Sequence, residues 1–366
     1  MASKEEIIYT IALRLIARVG NGQAADLIQY FGSAKALFDC KDAKLLQAEC
    51  KLKPSAIKAI VNQTTVEQAA KEWDFCQKFN ISILTKDHAD YPKRLRNCHD
   101  APTVLFFKGK ANLNMAKVVA IVGTRKPTEQ GKIFCERLIE DLASYNILYA
   151  SGLAYGIDIT AHKKATDLGI PNVGVVAHGL DTIYPPKHKP LAQRMVSNGG
   201  ILTEFVSETP PLGKHFPMRN RIIAGMADAV IVIETAERGG SMITAHFANE
   251  FNKDVFAVPG RINDPYSKGC NHLIKTHRAS LVQSAADIAY IMNWEKQKKS
   301  VQKQLFVDLS PDEQRLVDLL VGEEGIHLDT IITQTQISTS KIAAVLLELE
   351  FKGMLRALPG KRFRLI

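Results

Sequence analysis

Six short apolar segments recur at nearly constant spacing in the middle of the chain, and they constrain its fold more than any other feature. Their first residues lie 25 to 29 positions apart. They are VVAIV (118–122), ILYA (147–150), VGVVA (173–177), GILTE (200–204), AVIVIE (229–234) and DVFAVP (254–259). This spacing matches one β-α-β unit, and uninterrupted apolar character predicts strands buried on both faces. We therefore predict a doubly wound parallel sheet that binds ligands at the carboxyl ends of its strands.

The residues that precede this pattern predict a separate helical domain. Residues 1–80 read as helical, and VGNGQAADLIQYFGSAKALF (19–38) resembles a helix-hairpin-helix or SAM-like unit. Its glycine turn could present backbone amides to a DNA phosphate, or the unit could be a packing module without that contact. Arg14 and Arg18 are the nearest cations to the turn. We place the sheet domain that follows at 81–293.

The end of the chain predicts a third domain. A polar linker, WEKQKKSVQKQ at 294–304, precedes residues 305–366. Ser310, Pro311 and Glu313 form the pattern of a capped helix start. Two further helical segments follow, and MLRALPGKRFRLI then reads as two strands around a Pro-Gly turn. Three helices and a hairpin predict a winged helix.

Positive charge is concentrated in the sheet domain. The chain carries a formal net charge of +9, and residues 81–300 hold 28 basic and 20 acidic side chains. Such an excess attracts polyanions such as nucleic acid or acidic membrane. Alternatively, the same excess of basic side chains could serve only to keep the protein soluble. Residues 301–366 hold 8 basic and 9 acidic side chains, and Glu348 and Glu350 lie on the longest helix there. We therefore expect the last domain to contribute little DNA affinity alone, and to serve protein contact or modest assistance.

Other features of the composition exclude several classes of protein. No run of about 18 apolar residues is present, so we expect no transmembrane helix. The N-terminus lacks a basic region followed by an apolar one, so we expect no signal peptide. The six cysteines are scattered without a CxxC pair, which favours reduced thiols in a cytoplasmic protein over a disulfide framework or a zinc site.

The turns that follow three of the predicted strands favour phosphate binding. Small residues there bring backbone amides close to a ligand, and an arginine adds a forked donor. The candidate residues are Gly123, Thr124 and Arg125 after the first strand, Ser151 and Gly152 after the second, and Gly239, Gly240 and Ser241 after the fifth. Because these strand ends share one edge of the sheet, we expect the turns to converge.

A further segment, KHFPMRNRIIAGM (214–226), joins positive charge to an aromatic ring. Its candidate residues are Lys214, Phe216, Arg219 and Arg221. Cations that follow the backbone, and a ring on which a base stacks, are how many proteins hold single strands. Phe216 could instead be a core ring that covers the sheet edge. Arg219 could instead form an ion pair with Glu204 or Glu234.

The sequence lacks the common motifs of catalysis. Walker A, GxSxG and HExxH patterns do not occur, and Arg125 stands at the second glycine position of the GxGxxG fingerprint. The histidines show no spacing typical of metal ligands. Asp158, Asp181, Glu204 and Glu234 could pair for acid–base work, or they could anchor loops by hydrogen bonds. We therefore expect no catalytic residue, no cofactor and no metal.

Seven motifs occur in order along residues 118–274, and together they resemble the DprA/Smf family of DNA-processing proteins. They are VAIVGTRKPT, SGLAYGID, GLDTIYPP, FPMRNRIIAGM, ETAERGGSMITA, VFAVPG and GCNHLI. The resemblance implies an extended Rossmann-like domain that binds single-stranded DNA, protects incoming strands during natural transformation and helps to load the recombinase RecA. It also implies a homodimer formed through the Rossmann-like domain.

The resemblance assigns the phosphate pocket to the three turns named above. It assigns a basic and aromatic strip to Lys214, Phe216, Arg219, Asn220 and Arg221. The first turn reads GTR where family members often have GSR, which keeps a hydroxyl. An alternative is a Rossmann-like nucleoside-monophosphate hydrolase of the lysine-decarboxylase-like type. Its PGGxGTxxE motif carries a glutamate where this chain has Ala245 and His246, and the proline is also missing.

Overall fold

The computed structural model describes residues 2–296, 309–321, 325–335, 337–352 and 354–365. Contacts divide these residues into two compact units, with the division inside the predicted linker at 294–304. Most of that linker, residues 297–304, lies outside the described residues. Within the described ranges, no helix is long and apolar enough to cross a lipid bilayer.

The first unit consists of one large sheet with helices packed around it. Its strands are β1 (Ser82–Thr85), β2 (Val104–Gly109), β3 (Val118–Gly123), β4 (Leu148–Ser151), β5 (Asn172–Val175), β6 (Gly200–Thr203), β7 (Ala229–Ile233), β8 (Asp254–Ala257) and β9 (Ser280–Leu281). Its helices are α1 (Lys4–Leu15), α2 (Asn21–Phe31), α3 (Ala34–Asp39), α4 (Ala43–Ala48), α5 (Pro54–Val61), α6 (Val66–Lys78), α7 (Lys93–Arg96), α8 (Glu129–Leu142), α9 (Ile157–Asp167), α10 (Lys189–Met195), α11 (His215–Met226), α12 (Gly240–Glu250), α13 (Lys268–Lys275) and α14 (Ala285–Ile291).

The strand order confirms the doubly wound sheet. The order is β1-β2-β6-β5-β4-β3-β7-β8-β9, and all neighbours from β6 to β9 are parallel. The six predicted segments are β3 to β8. From β3 the chain builds the sheet in one direction through β4, β5 and β6, and it then returns to place β7 on the other side of β3. The carboxyl ends of β3 and β7 therefore form the topological switch point.

Alternate residues of β3 face two different layers of helices. Ala120 and Val122 belong to a buried cluster with residues of α11 and α12, such as Ile223 and Ala245. Ile121 belongs to a second buried cluster, which includes residues of α8 and α9. The sheet is thus covered on both faces, as the apolar strands predicted, and the strand ends remain as the accessible edge.

The edges of the sheet depart from the predicted repeat. β1 pairs with β2, and β2 pairs with β6, in antiparallel directions, and the short β9 forms the other edge. Residues of α1 to α6 share a buried cluster with Ile83 of β1 and Phe106 of β2. The helical region at 1–80 and the sheet region at 81–293 thus belong to one compact unit, and the boundary between them stays a prediction.

The second unit confirms the predicted winged helix. It consists of α15 (Pro311–Leu320), β10 (Ile326–His327), α16 (Leu328–Thr335), α17 (Thr339–Phe351), β11 (Leu355–Leu358) and β12 (Arg362–Leu365), with a sheet of order β10-β12-β11. The predicted capping box is present. Ser310 Oγ accepts from the Glu313 amide, and the Glu313 carboxylate accepts from the Ser310 amide at 2.7 Å. Leu316, Ile331 and Leu346 lie in the core of this unit.

Candidate nucleic-acid interface

A cavity of about 300 Å³ opens at the carboxyl ends of β3 and β7, and we call it the switch-point pocket. Open α/β sheets bind their ligands where the strand order reverses in this way. The predicted residues that line it are Gly123, Thr124, Arg125, Phe216, Arg219, Asn220, Gly239, Gly240 and Ser241. Two of the three predicted turns and most of the basic and aromatic strip therefore converge at one site.

The turn after β3 is fixed against β7 and carries an exposed arginine. The Thr124 amide donates to the Glu234 carbonyl at 2.7 Å. A Cβ atom on Gly123 would lie 2.1 Å from the Ile233 carbonyl oxygen, so only glycine allows this close approach. Arg125 is exposed, and within the described chain its guanidinium has neither a hydrogen-bond nor an ion-pair partner. The turn can therefore offer a forked cation to a ligand.

The turn after β7 offers backbone amides. Gly239 is the N-cap of α12, and no side chain caps this helix. The amides of Gly240 and Ser241 have no hydrogen-bond acceptor among the residues that the structure describes. The Ser241 hydroxyl donates to Thr235 Oγ1 at 2.6 Å, which fixes the turn. Unpaired amides and the positive end of the helix dipole both favour an anion at this end of the pocket.

Phe216 is a half-buried wall of the pocket rather than a core ring. The guanidinium carbon of Arg125 lies 5.3 Å from the centroid of its ring, and that of Arg219 lies 5.9 Å away. Both distances are within the range of cation–π contacts. The ring of Tyr184 lies 6.4 Å from that of Phe216, centroid to centroid. The site thus combines aromatic faces with positive charge.

Arg219 has the opposite character to Arg125, because it is only 4% exposed. Its Nη1 donates to the carbonyls of Gly152 and Val175, the latter at 2.7 Å. Burial lowers the pKa of Arg219 to about 10, so the side chain stays charged at neutral pH. Asp158 also lines the pocket, and burial raises the pKa of its carboxyl group, while the nearby Arg219 opposes that rise. The expected alternative, an ion pair of Arg219 with Glu204 or Glu234, does not form.

The predicted turn after β4 supports the pocket wall instead of facing the cavity. The Ser151 hydroxyl is buried and donates to the Ile121 carbonyl at 2.6 Å, inside the sheet. A Cβ atom on Gly152 would lie 2.0 Å from Arg219 Nη1. Gly152 therefore makes room for Arg219, and it borders a smaller cleft of about 100 Å³ beside the pocket.

Two predicted cations lie outside the pocket. Arg221 is only 3% exposed and pairs with Glu204 at 2.6 Å and with Asp100 at 3.2 Å. This corrects the assignment of Arg221 to the basic and aromatic strip. Arg219 faces the pocket, and residues two apart on a helix point in nearly opposite directions. Lys214 is exposed at the N-cap of α11 and does not line the cavity. Its side chain remains available to a ligand that extends beyond the pocket.

Acidic residues at the strand ends anchor loops, which was one of the two alternatives. The Glu234 carboxylate accepts from the Thr128 amide at 2.8 Å and from the Thr128 hydroxyl. Asp181 accepts from the Glu208 amide at 2.8 Å. In the described ranges, no group of three or more His, Cys, Asp or Glu side chains is arranged to hold a metal ion.

Sequence reasoning missed several residues at the site. Tyr155 and Tyr184 are each 44% exposed and line the smaller cleft beside Phe216 and Arg125. Thr235 and Tyr266 line the switch-point pocket itself. The two cleft tyrosines lie within motifs that were quoted for the resemblance, SGLAYGID and GLDTIYPP. The available signal for Tyr155 was therefore an aromatic residue in the loop between the predicted strand at 147–150 and the next helix.

Comparison with known proteins supports the family resemblance of the motifs. The family model of DNA recombination-mediator protein A matches residues 82–293, and the model of the DprA winged helix domain matches residues 303–361. Protein Smf of Escherichia coli (strain K12) is 34% identical over 338 residues, which cover 86% of this chain and 89% of that protein. DNA processing protein DprA of Streptococcus pneumoniae (strain ATCC BAA-255 / R6) is 42% identical over 212 residues, which cover 58% of this chain and 74% of that protein.

Two solved structures are also similar. The X-ray structure of DNA processing protein A from Streptococcus pneumoniae superposes with a TM-score of 0.68 at 34% identity, and the match covers 81% of this chain and 99% of that chain. DNA processing protein A from Helicobacter pylori, whose structure concerns its single-stranded DNA binding mode, gives a TM-score of 0.54 at 30% identity, with 59% and 98% covered. On its fold, its motifs and these matches, the chain belongs to the DprA/Smf family of DNA-processing proteins.

Proposed function

We propose that the chain binds single-stranded DNA at the switch-point pocket. One observation carries the proposal: the unpaired guanidinium of Arg125 lies against the ring of Phe216, in the same cavity as the free amides of Gly240 and Ser241. Cations and amides suit the phosphates of a strand, and the ring suits an unpaired base. A relative from Helicobacter pylori, similar in fold and 30% identical, has a described single-stranded DNA binding mode.

The strand extends beyond the pocket in this proposal. The smaller cleft shares Arg125, Phe216 and Arg219 with the pocket and adds Tyr155 and Tyr184. Lys214 lies at the start of the helix that carries Phe216. Bases could therefore stack on more than one ring while cations follow the phosphates. Ser151, Gly152 and the buried Arg219 support this surface from behind.

The decisive experiment compares single-stranded and duplex DNA. Labelled oligonucleotides of one sequence are titrated with the chain at two salt concentrations. We expect tighter binding of the single strand, because duplex bases cannot reach an aromatic wall without being unstacked. We also expect affinity to fall as salt rises, because each neutralised phosphate releases counterions. Equal affinity for both forms, or no dependence on salt, would contradict the proposal.

We further propose that the bound strand is protected and passed to the recombinase RecA during natural transformation. Membership of the recombination-mediator family supports this role, and the proposal includes a cytoplasmic location. The test follows the assembly of RecA on single-stranded DNA with and without this chain. Faster assembly is expected, and unchanged or slower assembly at every ratio of the two proteins would contradict it.

A homodimer formed through the Rossmann-like domain is also proposed. Leu281 of β9 and Tyr290 and Ile291 of α14, the helix that follows it, are 47%, 88% and 45% exposed, although all three are large hydrophobic side chains. An open sheet edge with exposed apolar side chains favours association. Sedimentation at micromolar concentration should show a dimer that Tyr290→Glu converts to a monomer. A monomeric unsubstituted chain would contradict the proposal.

The proposed function involves no catalysis. The hydrolase alternative expects an acid on α12, but Ala245 is fully buried in the core and the His246 side chain is 61% exposed beside Glu250. Neither residue can present a carboxylate to the pocket. Incubation with nucleoside monophosphates should therefore release no free base, and its release at a rate proportional to protein concentration would restore the alternative.

A further inference from the structure

We infer that the helical region at the start of the chain positions α11, the helix that carries Phe216, Arg219 and Asn220 into the switch-point pocket. This inference rests on the proposed single-stranded DNA binding. It assigns Arg14 and Glu72 as positioning residues, which act on the DNA interface through α11 without contacting a ligand.

The first contact is made around the buried carboxylate of Glu204, which directly follows β6. Glu204 is 1% exposed. Its Oε2 accepts from Arg221 on α11 at 2.6 Å and from Arg14 on α1 at 3.0 Å. Asn21, the first residue of α2, donates to the same oxygen at 3.4 Å. One carboxylate oxygen therefore joins three elements, two from the helical region and one from the DNA interface.

The second contact is made by a carboxylate of the helical region itself. Glu72 on α6 is 5% exposed, and its Oε2 accepts from the amide of Ser207 at 3.0 Å and from the Ser207 hydroxyl. Ser207 lies in the connection between β6 and α11, residues 204–214. The helical region thus holds the start of that connection at two places, and we call these contacts the carboxylate clamp.

The geometry of α11 links the clamp to the pocket. Arg219 and Asn220 line the pocket, and Arg221, the next residue, enters the clamp. Arg221 is also tied to Asp100, so its guanidinium has acidic partners on two sides. A rotation or shift of α11 that released Arg221 would move Phe216 and Asn220 as well, because a helix moves as a rigid element. Buried, charge-assisted hydrogen bonds whose groups have few alternative partners therefore fix the position of α11 closely.

The carboxylate clamp also shows what the side chain of Arg14 contacts. This cation is one of the nearest to the predicted glycine turn, and a helix-hairpin-helix could use it for a phosphate. Its side chain is only 16% exposed and is already paired with Glu204. Arg18, by contrast, is exposed and has no hydrogen-bond or ion-pair partner in the described chain. Substitution of Arg14 therefore tests positioning, whereas substitution of Arg18 tests direct contact of the glycine turn with DNA, which this inference does not require.

The test uses the full chain with Arg14→Ala and Glu72→Gln, and with Arg18→Ala and Glu67→Gln as matched controls. Glu67 is an exposed carboxylate on α6, the helix that carries Glu72. We expect both clamp variants to bind a labelled single strand about fivefold more weakly, within the range of coupling between contacting residues. The slope of affinity against salt should not change, because no phosphate contact is lost. The controls should bind like the unsubstituted chain.

Hydrogen exchange without DNA provides an independent measurement. In the clamp variants, the amides of residues 204–226 should exchange faster than in the controls. Unchanged affinity together with unchanged exchange in both clamp variants would overturn the inference. So would a reduced salt slope for Arg14→Ala, which would indicate direct phosphate contact. If the unsubstituted chain binds no single strand, the proposed function fails, and the exchange result still decides whether the clamp holds α11.

Discussion

The switch-point pocket and the hairpin of the winged helix both expose arginine side chains. In the hairpin, three arginines are exposed: Arg356, Arg362 and Arg364. None of them forms an ion pair in the part of the chain that the structure describes. We call these three residues the basic hairpin. Arg356 and Arg364 lie directly opposite each other on β11 and β12. The pocket differs because its exposed cation, Arg125, lies against an aromatic ring and beside unpaired amides.

The comparison shows that net charge is a poor guide to a binding surface. The winged-helix region has nearly balanced charge, but four of its eight cations, Arg356, Lys361, Arg362 and Arg364, lie on the hairpin, while Glu348 and Glu350 lie on α17. Like charges directly opposite each other on two strands reduce stability, so the basic hairpin is a costly arrangement. It can contact phosphates, but the exposed side chains that form it include no ring for a base. The pocket can contact both parts of a nucleotide.

Phe216→Ala should have the largest effect on binding of a single strand. Loss of stacking costs roughly 1–3 kcal/mol per base, which corresponds to about fivefold to 150-fold weaker binding. Phe216→Tyr should stay close to the unsubstituted chain, since it keeps the ring. Tyr30→Ala removes a ring of the helical region that is 60% exposed and serves as a control. Fluorescence anisotropy measures all three, and equal losses for Phe216→Ala and Tyr30→Ala would show that the ring in the pocket has no special part in binding.

Arg125→Ala should have the next largest effect, about tenfold weaker binding at moderate salt, because a charge-assisted phosphate contact is lost. It should weaken binding of all sequences alike and reduce the salt slope by about 0.7, the contribution of one phosphate in a single strand. Arg137→Ala, an exposed arginine on α8, is the matched control. Titrations at several salt concentrations give the slopes. If Arg125→Ala leaves the slope unchanged, Arg125 does not contact a phosphate.

Asp158→Asn should tighten binding by about threefold, because it removes a buried negative charge from the pocket wall. Arg219 should stay in place, since the carbonyls of Gly152 and Val175 hold it. Burial raises the pKa of Asp158, so a fall in pH through that pKa protonates the group and should tighten binding in the unsubstituted chain. The variant should lack this pH step. Asp167→Asn, on the same helix, is the control, and weaker binding by Asp158→Asn would show that the carboxylate supports the site.

The smallest effect should come from a variant that replaces all three residues of the basic hairpin, by Arg356→Gln, Arg362→Gln and Arg364→Gln. We expect less than about threefold weaker binding of a single strand at moderate salt, because any phosphate contacts there are screened and lack stacking. A smaller salt slope is expected if the hairpin touches the backbone. A loss as large as that of Phe216→Ala would reverse the ranking of the two regions.

The sequence predicted the sheet because strands buried on both faces are continuously apolar, and their spacing repeats. It did not predict β1 and β2, because antiparallel edge strands lie outside that repeat. The turns around Gly123 and Gly239 were predictable, since glycine is required where backbones approach closely. The burial of Arg219 and Arg221 was not predictable from the sequence. Both are buried, but their partners come from distant segments, and only the fold shows that Glu204 pairs with Arg221.

Photo-crosslinking tests the central claim most directly, since it identifies the region that a single strand touches. An oligonucleotide that contains 5-bromodeoxyuridine is bound to the full chain and irradiated, and the modified peptides are identified by mass spectrometry. The account predicts adducts on the peptide that contains Phe216 or on those that contain Tyr155 and Tyr184. Adducts confined to residues 309–365, with none around the switch-point pocket, would contradict it.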